Sequence, residues 1–195
     1  MLDRDGPDVF SMRKLAAELG TGTMTIYGYF RSKDELLDAA VDVAVAEVGI
    51  NLGDGDWKDQ MRALMLGIRE GLARHPGGIR LRLARPILSP GALRFTEAAL
   101  HVLKGAGFET REATRVYQTL FFYTFGVASF GSPMAPDEVK RRALATLLAL
   151  PPEDYPELSA AADDAAEALA AEDQFEQGLD QLLNALQASQ GATRS

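Results

Sequence analysis

The stretch that decides the fold is SMRKLAAELGTGTMTIYGYFRSKDE, residues 11–35. Its first part carries one apolar stripe at helical spacings of three and four, formed by Met12, Leu15, Ala16 and Leu19. Ser11 is a favoured N-cap residue, and Gly20 stands where a helix end favours the left-handed conformation. Residues 23–29 are long enough for a second helix, and the S-x-x-E pattern of residues 32–35 predicts the capped start of a third.

This order of elements predicts a helix-turn-helix. Two helices joined by a short glycine-containing turn form the arrangement that places a second helix in the major groove of DNA. The side chains of that second helix available to a groove are Thr23, Met24, Thr25, Tyr27 and Gly28. Threonine hydroxyl groups suit base edges or phosphate groups, and Tyr27, Tyr29 and Lys33 suit phosphate groups. Ile26 and Phe30 are expected in the core, and the pattern leaves Tyr27 open between core and DNA.

The segment LAAELGTGTMTIYGYFRSKDELLDA, residues 15–39, closely resembles the DNA-binding segment of the tetracycline-repressor (TetR) family of transcriptional regulators. The shared features are the L-A-x-x-L-G turn, the T-x-T-I-Y helix, the pair Tyr29-Phe30 and the S-K-D-E-L-L opening of the next helix. The resemblance implies that Thr21 or Thr23, Tyr29 and Lys33 hold the DNA backbone. It also implies a full helix before residue 11, and residues 1–10 have room for only part of one.

The resemblance implies an all-α protein of two domains. The head, residues 1–45, is predicted to be a helix-turn-helix DNA-binding domain with an incomplete first helix. The body, residues 46–195, is predicted to bind a ligand and to form a dimer. The boundary falls inside a helix predicted for residues 33–50, so a shift of the body would be passed to the head through a rigid connection.

Further helices are predicted in the body from apolar periodicity and caps. They cover residues 57–74, 79–84, 90–105, 110–130, 137–150 and 174–188. On the helix of residues 137–150, the apolar residues expected to face inward are Val139, Leu144, Leu147 and Leu148. Residues 153–172 are acidic and alanine-rich, and are expected to be weakly helical or mobile.

The helices between residues 57 and 130 provide the candidate ligand pocket. Thioether side chains fit irregular shapes, although methionines at helical spacing also fill ordinary cores, and a lone histidine on a helix is usually structural. Residues 110–130 are apolar nearly all round, which predicts burial against the core and against a pocket or a second subunit; a central helix of a monomeric core is the alternative. The predicted ligand-binding residues are Met61, Met65, Ile68, His101, Tyr117, Phe121, Phe122 and Phe125.

The final helix contains FEQGLDQLLNAL, residues 175–186, which resembles the last helix of tetracycline-repressor-like C-terminal domains. In that family, this helix and the helix at residues 110–130 pair with their symmetry mates in a dimer. The resemblance therefore implies a homodimer interface made of Val127, Phe175, Leu179, Leu182, Leu183 and Leu186.

Composition limits the other classes of function. The net charge is −8, yet residues 1–33 hold five basic and four acidic side chains, so the acidic excess lies in the body and non-specific DNA binding is predicted to be weak. There are no cysteines and two histidines, and the patterns H-E-x-x-H and G-x-S-x-G are missing. We therefore expect neither an enzyme nor a metal or cofactor. No apolar run approaches the ~20 residues of a membrane span, so we expect a cytoplasmic protein.

These observations predict a ligand-responsive regulator, most simply a repressor. It would bind a pseudopalindromic double-stranded DNA operator as a homodimer and be released by a small-molecule effector. The alternative is an effector-binding dimer that lacks competent DNA binding because its head is incomplete.

Overall fold

The computed structural model describes residues 1–6, 8–78, 89–130 and 134–193, and within these residues all regular structure is helical. The predicted all-α class is confirmed. The helices are α1 Leu2–Asp5, α2 Met12–Glu18, α3 Thr23–Tyr29, α4 Lys33–Val48, α5 Trp57–Arg74, α6 Pro90–Gly105, α7 Thr110–Ser129, α8 Pro136–Leu148, α9 Pro156–Ala160, α10 Ala162–Ala170 and α11 Gln174–Thr193. The helix predicted at residues 79–84 lies outside the described residues. No helix among those described is long and apolar enough to cross a membrane.

Side-chain caps set several helix starts where the sequence predicts them. Ser11 Oγ accepts the amide of Lys14 at 3.2 Å, and Gly20 has a φ of 64° just after α2. Ser32 Oγ accepts the amide of Glu35 at 3.1 Å. The Glu35 carboxylate accepts the amide of Arg31 at 2.6 Å. The bonds to Ser11 and Ser32 satisfy amides that a helix start leaves free. The bonds of Ser32 and Glu35 also fix the turn between α3 and α4.

The head and the body each have their own core. The buried head side chains are Phe10, Met12, Ala16, Ile26, Leu36 and Leu37. The body core is built mainly by α5, α6, α7 and α11, which pack on one another. Helix α4 reaches both cores, because Val41 packs on the head cluster while Val45 and Val48 pack on the body cluster. The boundary near residue 45 remains a prediction.

Helices α8 to α10, residues 136–170, form a unit that we call the arm. In the described part of the chain, the arm helices make their close contacts mostly with one another. The alanine-rich stretch, expected to be weakly helical or mobile, is helical over Pro156–Ala160 and Ala162–Ala170. The buried Ala162 and Ala166 let α10 pack closely on α8. Leu148 was expected to face inward and is exposed, since it lies at the end of α8 beyond that contact.

Candidate DNA-binding surface and ligand cavity

Helix α3 presents an open face to solvent. Met24 is 81% exposed and Tyr29 is 78% exposed. Thr25, Tyr27 and Gly28 are also exposed. Ile26, on the opposite face, is buried in the head core as predicted. The helix therefore offers hydroxyl groups, a thioether and a glycine to a partner, while a single buried residue anchors it.

The remaining predicted DNA-binding residues flank this face. Thr21 and Thr23 are half-buried around the turn that begins α3. A Cβ atom added at Gly28 would meet no atom within 4 Å, so this position is open. Lys33 is half-buried, and its Nζ lies 5.6 Å from the centroid of the Phe10 ring. A cation held over an aromatic face keeps its charge close to the surface in a defined place.

A cavity of about 460 Å³ lies where α4 meets the body. One wall is the apolar face of α4, from Leu36 to Val48, and the opposite walls come from α5, α6 and α7. The lining is mostly aliphatic and aromatic, with a few polar groups that include Thr96 and Gln118. A largely apolar, concave space with few polar groups is the usual form of a small-molecule site.

Three aromatic rings of α7 stand one turn apart along this cavity. Tyr117 and Phe121 have ring centroids 6.0 Å apart, and the rings of Phe121 and Phe125 stack at 5.9 Å with planes at 22°. Thr96 Oγ1 donates to the Tyr117 hydroxyl at 3.2 Å, which holds that ring from α6. The three rings offer a continuous apolar surface against which a flat molecule can lie.

The structure brings together only part of the predicted ligand-binding set. Ile68, Tyr117, Phe121 and Phe125 line the cavity. Met61 and Met65 lie fully buried in the body core, in agreement with the alternative that they fill it. The other two predictions require correction. Phe122 is 61% exposed and is not part of the cavity lining, because its position on α7 is rotated by about 100° from that of Phe121. The exposed His101 lines a separate shallow groove beside Trp57.

Sequence reasoning missed two walls of the cavity. The first is the α4 face formed by Ala40, Val41 and Ala44, and the second is the chain start at Leu2 and Asp3. A signal for the first wall was present, because the apolar face of α4 is wider than packing on one neighbour requires. The second wall depends on a contact between residues more than 70 positions apart, such as Asp3 and His75, for which the sequence contains no local pattern.

The predicted dimer interface also needs correction. Phe175, Leu179 and Leu183 are buried in the core of their own chain, facing α5 and α7. Such side chains have no surface left for a second subunit. Val127, Leu182 and Leu186 are only partly buried and remain available. Periodicity identified the apolar stripe of α11 correctly, but did not determine which neighbour covers it.

The fold is that of a helix-turn-helix regulator, with a head that contains the helix-turn-helix and a helical body that contains a cavity. Residues 1–40 match the family described as bacterial regulatory proteins, tetR family, and residues 51–189 match the tetracyclin repressor-like C-terminal domain. The chain therefore belongs to the TetR family of transcriptional regulators. This is a family of regulators and not of enzymes, in agreement with the expectation from composition.

Named relatives lie within the same family. The HTH-type transcriptional repressor DrrR1 of Streptomyces coeruleorubidus is 37% identical, over 72% of this chain and 52% of its own length. An HTH-type transcriptional regulator of Saccharopolyspora erythraea is 35% identical, over 82% of this chain and 69% of its own. The chain thus spans about half of the first relative. The crystal structure of Streptomyces coelicolor ActR with actinorhodin has a TM-score of 0.78 at 25% identity, covering 96% and 91% of the two chains.

Proposed function

We propose that this protein is a repressor that binds a pseudopalindromic operator as a homodimer and leaves it when a small molecule fills the cavity. The observation that carries the proposal is the joint use of α4, which packs on the DNA-binding head and also forms a wall of the cavity. A ligand that prefers one position of this wall would shift the equilibrium between head positions.

The DNA partner follows from the exposed face of α3. Tyr27, Tyr29 and Lys33 serve the phosphate groups, and Thr23, Met24, Thr25 and Gly28 face the base edges. A two-fold dimer places two such helices about 34 Å apart, in successive major grooves on one side of the duplex. The name of the relative DrrR1, a transcriptional repressor, supports this direction of control.

The effector class follows from the cavity. The stacked rings, the aliphatic lining and the polar groups of Thr96, Tyr117 and Gln118 suit a flat, ring-containing molecule with a few hydroxyl or carbonyl groups. ActR, whose fold this chain shares, was crystallised with actinorhodin. We take actinorhodin as the first compound to test.

The dimer surface lies on the outer face of α7 and the partly buried side of α11. Phe122 and Gly126 stand four residues apart on α7, and Phe130 follows at the same spacing directly after the helix ends. Phe122 and Phe130 are exposed, and a Cβ atom at Gly126 would meet nothing within 4 Å. Exposed aromatic side chains beside a glycine allow a second helix to approach closely. Val127, Leu182 and Leu186 complete this surface.

The test is fluorescence anisotropy of the protein with a labelled fragment of its own upstream DNA, over a series of salt concentrations. We expect saturable binding by a dimer that weakens steeply with salt and survives competitor DNA. Actinorhodin should release the fragment. A chain that forms a dimer and binds the compound, but shows no specific DNA binding, would contradict the repressor proposal and favour the effector-binding dimer.

A further inference from the structure

Three parts of the molecule meet at His75, the residue directly after α5. Its Nδ1 lies 3.4 Å from Oδ2 of Asp3, which belongs to α1 in the head. Its Nε2 lies 3.2 Å from Oε2 of Glu47, near the end of α4. The imidazole thus stands between the start of the head, the connecting helix and the body.

The backbone reinforces the same contact. The other carboxylate oxygen of Asp3 accepts the amide of Gly77 at 2.8 Å. A Cβ atom at Gly77 would lie 2.7 Å from the carbonyl carbon and oxygen of Leu2, so only glycine allows this approach. Arg4, which follows Asp3 in α1, pairs with Glu18 of α2 at 3.2 Å. Contacts therefore run without a break from the end of α5 through α1 into the helix-turn-helix.

The residues of this contact also line the cavity. Leu2, Asp3, His75 and Gly78 all form part of its wall. A molecule in the cavity would consequently touch the groups that hold the head to the body. This places the contact where occupancy and head position are able to affect each other.

We propose that His75 is a positioning residue that, with Asp3 and Gly77, latches the head to the cavity wall. The proposal rests on the regulator function proposed above, because it concerns how the body controls the head. Each ring nitrogen faces a carboxylate, so a neutral ring donates to one of them and a doubly protonated ring donates to both. The latch is half-exposed, with side-chain exposures of 30% for His75 and 47% for Asp3, and we therefore expect it to weaken in salt.

Two substitutions separate this role from a merely structural one. In His75→Asn the amide nitrogen takes the place of Nδ1 and can still donate to Asp3. In His75→Gln the amide nitrogen takes the place of Nε2 and can reach only Glu47. We expect His75→Gln and Asp3→Asn to raise the rate of amide hydrogen exchange in residues 1–10 about tenfold, since each loses a charge-assisted bond. His75→Asn should keep most of the protection.

The controls use the whole chain and a second readout. Glu70→Gln removes a 3.7 Å pair with Arg74 beside the latch but outside it, and should leave residues 1–10 unchanged. Gly77→Ala should open the latch without changing any charge. Affinity for the labelled upstream DNA should follow the exchange rates, falling with His75→Gln and recovering with His75→Asn.

Three results test whether His75 holds the head to the cavity wall. Unchanged exchange of residues 1–10 in His75→Gln, Asp3→Asn and Gly77→Ala would overturn the proposal. So would an equal rise in exchange across α5, α6 and α7, because His75 would then only stabilise the body. If residues 1–10 respond as expected but the unsubstituted protein does not bind DNA, the latch stands and the proposed repressor function fails.

Discussion

Gly71 of α5 lies against Val48 of α4 with no space for a side chain between them. A Cβ atom at Gly71 would lie far inside the contact distance of Cγ2 of Val48, whereas one at Gly67, a turn earlier, would lie at an ordinary 3.6 Å from Cγ1 of the same valine. Gly67 and Gly71 therefore both face Val48, and Gly71 lies much closer to it. The closer glycine fixes how near α4 lies to the body.

This relationship predicts opposite effects for two alanine substitutions. Gly71→Ala should lower the free energy of unfolding by about 1–3 kcal/mol, because valine is stiff at χ1 and α4 must move away. Gly67→Ala should leave it unchanged or raise it by up to about 1 kcal/mol, since alanine favours the helix. Urea denaturation measures both. Equal effects of the two substitutions would contradict the role given to the close contact of Gly71 with Val48.

We predict that a substitution at Tyr29, on the exposed face of α3, weakens DNA binding and leaves the fold intact. Tyr29→Ala should weaken binding to the upstream DNA about tenfold, because the proposed hydrogen bond from Tyr29 to a phosphate group is removed. Stability should stay within about 0.5 kcal/mol, since the side chain packs little. Tyr155→Ala on the arm, also at an exposed tyrosine, is the matched control and should bind DNA normally. Anisotropy and thermal unfolding of the same samples give both quantities.

We predict that a substitution at Phe122, on the outer face of α7, weakens the dimer. Phe122→Ser should raise the dimer dissociation constant by the equivalent of about 2 kcal/mol, as for an aromatic anchor of an interface. Leu148→Ser, at a side chain of similar exposure on the arm (65% against 61%), should not change it. Sedimentation equilibrium measures the constant. A dimer weakened by Leu148→Ser and not by Phe122→Ser would place the interface on the arm.

We predict that the stabilising contribution of the Tyr123 hydroxyl is lost at high pH. Burial raises its pKa above the ordinary value of about 10, although nearby Arg69 acts in the opposite direction. Its hydroxyl donates to the carbonyls of Phe175 at 3.1 Å and Gln174 at 3.3 Å. Because the folded pKa is the higher one, the contribution of the phenol is complete below about pH 10 and is lost as pH rises through the folded pKa.

Tyr123→Phe should therefore be less stable than the unsubstituted protein at pH 8 by about 1 kcal/mol, the usual size of one hydrogen bond. That difference should shrink at pH 10 and above. Urea denaturation at several pH values follows it, and the ring stacking on Phe175 at 5.5 Å stays in both proteins. A difference in the free energy of unfolding that grows with pH would contradict a raised pKa of Tyr123 in the folded protein.

The sequence predicted what local patterns determine. The apolar spacing predicted a helix over residues 57–74, and α5 has those bounds. It did not predict what depends on distant neighbours. The alanines of α10 became a packing surface only because α8 folds against them. Likewise, the stripe of α11 has one periodicity whether it faces its own core or a second subunit, so Leu179 and Leu183 were assigned to the wrong neighbour.

A small rotation of helix α4 at its body end becomes a larger displacement at its head end. Helix α4 is 16 residues long, which corresponds to about 24 Å. A rotation of about 5° about its body end displaces its head end by about 2 Å, most of the length of a hydrogen bond. In the proposed regulator, a cavity wall that moves by a fraction of an ångström beside Val45 and Val48 would therefore produce a far larger misfit between α3 and a bound duplex.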